Sequence, residues 1–146
     1  MTLEGNPSMN RSHPRIPGYL FALLAIYCAA SLIHFVHNAQ FLSEYPNLPA
    51  WLTSAKVYLA WIAVTSVGAA GVALALSGRR ASGLLLIAGY ATLGFAGLDH
   101  YSVAPVSAHT FAMNATIAFE VVAAAVLLAV TLAMLFRSVR HSVANG

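Results

Sequence analysis

The sequence predicts an all-α membrane protein, an antiparallel four-transmembrane-helix bundle with both termini cytoplasmic. Three observations carry this prediction. The 146-residue chain is 60% hydrophobic and only 8% charged, with a mean hydropathy of +0.76, which excludes an ordinary soluble domain. Apolar runs of about 20 residues or more, enough to cross a bilayer, recur along it. The basic residues stand at the ends of these runs, as Arg11 and Arg15, Arg79 and Arg80, then Arg137, Arg140 and His141. In a four-span topology all three groups fall on one side, which the positive-inside rule places in the cytoplasm. Orientation thus accounts for the net charge of +3, and no nucleic-acid partner is expected.

Residues 1–16 are polar and proline-containing and read as a short disordered cytoplasmic tail. A single transmembrane domain over 17–141 follows, with helices at about 17–41, 49–76, 82–101 and 108–136, then a cytoplasmic tail at 142–146. The run opening at Pro17 exceeds the roughly 7–15 residues of a signal-peptide core and has no clean cleavage site, so it reads as a retained helix. Cys28 is the only cysteine; an intrachain disulfide and a CxxC motif are both excluded.

Between the first two helices lies the tight loop Glu44 to Pro49, whose Tyr45, with Trp51 and Tyr58, suits a membrane interface. Ser77 to Arg80 make the second turn. The third helix carries Gly83, Gly89, Gly94 and Gly97, residues that let neighbouring helices approach closely. Pro105 interrupts the last loop, and Ser107 is the expected N-cap of the fourth helix.

Polar residues concentrate at the outer end of these helices. His34, His37 and Asn38 share one face of the first helix, three and four residues apart. Lys56 lies near the start of the second, Asp99, His100 and Tyr101 at the end of the third, and His109, Asn114 and Glu120 on the fourth. Imidazole and carboxylate donors suit zinc, copper or iron. The leading expectation is therefore an outward-facing transition-metal site formed by His34, His37, Asp99, His100 and His109, for catalysis or metal handling. Asn38, Glu44, Lys56 and Tyr101 would support the ligands or meet a substrate. A haem between facing histidines is a narrower form of the same idea, with nothing else in the chain to mark a porphyrin pocket.

Glu120 stands apart in this reading. At about 1.5 Å per residue it lies roughly 16 Å below His109, too deep to share an ion with it. A carboxylate at such depth costs several kcal/mol unless paired, hydrated or protonated. The alternative is therefore a small proton-linked transporter, or an accessory or structural subunit, using Glu120 and Asp99. Lys56 either snorkels outward or pairs with Asp99. The histidines could equally be hydrogen-bonded to loop carbonyls, fixing the loop over the helices. The expected location is the cell inner membrane, multi-pass, with the lipid bilayer as partner. Four spans make a thin bundle, so a homo-oligomer is compatible with the chain.

Overall fold

A computed structural model describes residues 16–144, with side chains through residue 140; most of the expected N-terminal tail lies outside the described residues. Helix α1 spans Gly18–Gln40 and α2 spans Ser54–Leu76. Helix α3 spans Arg80–Leu93 and passes directly into a 3₁₀ segment, Gly94–Asp99, and the short α4, His100–Val103. Helix α5 covers Phe111–Ala144. Four stretches are long and apolar enough to cross a membrane: Gly18–Gln40, Ser54–Leu76, Arg80–Val103 and Phe111–Arg140. No strand occurs among the described residues.

The principal contacts form a ring: α1 packs on α2 and α5, and α3 packs on α2 and α5. Small residues set the α2–α3 distance. A Cβ added at Gly83 would sit 2.5 Å from the Ala75 backbone nitrogen, one at Gly71 would meet Ile87, and one at Gly68 would strike the Tyr90 ring. The partners pair 68 with 90, 71 with 87 and 75 with 83, so α2 and α3 run in opposite directions. Gly78, at φ +88°, supplies the left-handed residue of the turn between them. Of the other expected close-contact glycines, Gly94 is pressed by Tyr27 and Ala124, whereas Gly89 faces open space.

The apolar core lies towards the arginine-bearing ends, where Leu20, Leu84, Ile87, Ala124 and Leu127 are fully buried. Tyr27 and Tyr90 close its other end. Their ring centroids are 4.6 Å apart, and the Tyr27 hydroxyl donates to the Tyr90 carbonyl at 3.2 Å.

Two departures from the sequence expectation matter for the site. The third span is not one α-helix: from Gly94 to Asp99 it tightens to three residues per turn. Positions 94, 97 and 100 then stay on one line, whereas α-helical geometry would rotate His100 away by about 120°. Gly94 and Gly97 are buried on this line, while Leu93, Ala96 and Asp99 occupy an exposed one. The fourth long helix also starts later than Ala108. Val106–Ala108 form a 3₁₀ turn and His109 is extended. Thr110 takes the capping role expected of Ser107, its Oγ accepting from the Met113 backbone N–H at 3.3 Å.

Candidate functional site

Residues from α1, the first loop, α4 and the start of α5 meet at the end opposite the arginines. The imidazoles of His34 and His100 lie edge to face at 5.5 Å between centroids, and those of His100 and His109 at 6.1 Å. Tyr45 sits over the group, 4.9 Å from His100 and 6.3 Å from His109. It is only 4% exposed, not at the membrane interface as its loop position suggested. The 3₁₀ turn Leu42–Glu44 bends the chain there, and two bonds fasten the loop: Asn47 Nδ2 donates to the Val103 carbonyl at 2.9 Å, and Ser54 Oγ to the Ala39 carbonyl at 2.8 Å. Burial pushes the Tyr45 hydroxyl up to about 12, with neighbouring Thr116 acting in the opposite sense. It stays a phenol, 3.0 Å from His37 Nδ1.

Each remaining polar group has a definite place. Asn38 Nδ2 donates to His100 Nε2 at 3.2 Å, leaving His100 Nδ1 to carry the proton of the neutral ring. His109 Nδ1 donates to the Pro105 carbonyl at 3.1 Å, and its buried Nε2 has no partner. Tyr101 donates to Asn114 Oδ1 at 2.8 Å, and its ring stands nearly perpendicular to that of His109.

The deepest members are His34 and Glu120. His34 Nε2 lies 3.8 Å from Glu120 Oε2, with both side chains 3% exposed. This contact corrects the separation of Glu120 from the histidines. His34, carried on α1 rather than on the helix of Glu120, meets the carboxylate. Hydrogen bonding fixes the chemistry of the pair. The Thr116 hydroxyl gives its proton to the Met113 carbonyl at 3.0 Å, so it can only accept from His34 Nδ1, 3.4 Å away. His34 Nε2 and Glu120 Oε2 are left facing each other. The 3.8 Å gap is too long for a direct hydrogen bond.

A cavity of about 140 Å³ opens beside that gap, lined by His34, Phe35, Asn38, Leu93, Ala96, Gly97, His100 and Glu120. A Cβ at Gly97 would lie 3.4 Å from Glu120 Oε2, so the glycine keeps the floor open. A second cavity of about 290 Å³ shares Ala96 and His100 in its lining and is also lined by Asp99 and Ser102.

The expected metal ligands are therefore only partly assembled. His34, His100 and His109 are neighbours and His37 is joined through Tyr45, while Asp99 and Glu44 are exposed. Among the described residues, no group of three or more His, Cys, Asp or Glu side chains is arranged to hold a metal ion. Lys56 turns to Trp51 rather than to Asp99. Its Nζ donates to the Trp51 carbonyl at 2.9 Å and lies 5.0 Å from the centre of the Trp51 ring, with no pairing to Asp99. Tyr45, Thr116 and Gly97 belong to the site but have no chemical motif around them in the sequence.

No family model matches the chain, and neither a curated protein nor a solved structure is similar to it.

Proposed function

We propose that this chain is a proton-linked membrane protein, an antiparallel four-span bundle in the cell inner membrane with both termini in the cytoplasm and the histidine cluster facing outward. Arginines at the opposite ends support the orientation. One observation carries the functional reading: the buried Glu120–His34 pair, 3.8 Å apart, beside a cavity that shares Ala96 and His100 with a second one lined by the exposed Asp99. Asp99 gathers protons at the rim, His100 passes them inward, and the pair gains or loses its shared proton as the protein works on its substrate. Water along the polar side of the first cavity and in the second completes the route, since about 30 Å³ per molecule leaves room for several.

Infrared titration of the purified protein tests this reading. A protonated-carboxyl band that disappears with rising pH is expected in the wild type. Glu120→Gln should abolish it, and His34→Gln should move its midpoint. A wild type without such a band, or a band untouched by Glu120→Gln, would overturn the assignment.

A transition ion is the second reading, favoured by the unpartnered buried Nε2 of His109 and by the spacing of the three imidazoles. Closure onto zinc, copper or iron would require the rings to rotate towards a common point at about 2.0–2.1 Å. Metal analysis of the purified protein against His34→Ala/His37→Ala decides it: stoichiometric metal in the wild type alone supports this reading, and none in either removes it. Thin bundles of four spans also favour assembly into homo-oligomers.

A further inference from the structure

The cavity that ends on Glu120 has two unlike walls. One is polar, formed by His34, Asn38, His100 and Glu120; the other is apolar, formed by Phe35, Leu93, Ala96 and Gly97. Leu93 and Ala96 also lie on the exposed line of the third span, within Arg80–Val103. The apolar side therefore reaches the outer surface of a stretch long enough to sit in lipid. Water filling the whole space would find no partners along that side. A volume of about 140 Å³ is close to the roughly 150 Å³ that accepts a benzene ring.

We propose that this cavity binds the ring head of a membrane-dissolved lipid, a single six-membered ring bearing carbonyl or hydroxyl oxygens, as in quinones and phenolic lipids. The inference rests on the reading of Glu120–His34 as a working protonatable pair and names what that pair meets. The ring enters between Phe35 and Leu93. Its oxygens exchange hydrogen bonds with His34, His100 and Glu120, and its tail stays in the bilayer along the exposed side of Leu93. Asn38 holds the His100 ring in register through the 3.2 Å bond. The 3₁₀ turn is what makes the space: it brings Gly97 rather than a larger residue opposite Glu120.

The test uses the full chain in lipid nanodiscs, with three probes scored by the rise in unfolding temperature. Decylubiquinone has ring and tail, duroquinone has the ring alone, and dodecanol has the tail alone. Decylubiquinone should bind the wild type and Gly89→Leu, whose added side chain meets open space on the same helix. Gly97→Leu, which fills the floor, should weaken binding at least about tenfold. Ala96→Phe, filling the mouth from an exposed position, should do the same even where Gly97→Leu folds poorly. Equal binding by Ala96→Phe and wild type, or dodecanol binding as well as decylubiquinone, would overturn the proposal. Duroquinone binding as tightly as decylubiquinone would overturn the lipid source. If decylubiquinone does not bind while the Glu120 carboxyl band still titrates, the lipid proposal fails alone; if neither occurs, the proton-linked reading fails with it.

Discussion

The two ends of this molecule solve different problems with the same four spans. At the arginine end, glycine and alanine bring α2 and α3 nearly into backbone contact, and tyrosine, leucine and isoleucine fill the remaining space. At the histidine end the third span tightens into a 3₁₀ turn, a loop tyrosine is folded inward, and space remains around a buried carboxylate. Close packing rewards every atom that fills it. Buried polar groups beside open space instead cost stability. One end accordingly supplies the stability against which the other is left open.

This contrast can be broken most forcefully at the arginine end. Gly83→Val would drive a side chain into the Ala75 backbone and should cost about 3 kcal/mol or more, seen as a large fall in unfolding temperature. Gly89→Val on the same helix should change stability by less than about 0.5–1 kcal/mol. Comparable losses at both positions would remove the packing account.

At the histidine end the expected effect has the opposite sign. Replacing a buried pair with apolar groups is often neutral or stabilising by about 1–4 kcal/mol. The double variant Glu120→Leu/His34→Leu should thus melt no lower than the wild type while losing the carboxyl titration. A loss of about 3 kcal/mol would instead make the pair a structural clamp.

Tyr45 offers a smaller and pH-dependent test. Tyr45→Phe keeps the ring over the histidines but removes the bond to His37, at a cost of about 1 kcal/mol near neutral pH. Because burial holds the folded hydroxyl at about 12 against about 10 in an unfolded chain, the unfolded state loses this proton first. Its contribution is level below about pH 10 and declines as pH rises towards about 12. That part of the alkaline decline should vanish in Tyr45→Phe, measured by chemical denaturation across the range. The smallest effect belongs to Lys56 and Asp99. Since they do not pair, a double-mutant cycle of Lys56→Ala and Asp99→Ala should show coupling within about 0.3–0.5 kcal/mol of zero.

Much of this was legible in the sequence because hydropathy and periodicity are local. The apolar runs lie close to the observed spans, and Glu120, placed deep on the fourth helix, is buried on α5. Spacings of three and four residues placed His34 with His37 and Asn38 on one face and directed attention to one end of the helices. The unread parts depended on contacts between distant segments. The shift to three residues per turn at Gly94 arises where Tyr27 and Ala124 press on the third span; no local rule announces that pressure. Asp99 consequently turns outward and His100 inward, two adjacent residues that sequence reasoning had grouped. The inward fold of Tyr45 depends on Asn47 reaching Val103, 56 positions away. Counting depth along one helix separated Glu120 from the histidines because the partner, His34, approaches on another.

The claim that a single proton is shared between His34 and Glu120 is the centre of this account. Solid-state NMR of the full chain in lipid, following the Glu120 carboxyl carbon and the His34 ring nitrogens across pH, tests it most directly. Both signals should move at the same midpoint in the wild type, and His34→Gln should shift the Glu120 midpoint. Independent titration of the two groups, with Glu120 indifferent to the loss of His34, would contradict the account.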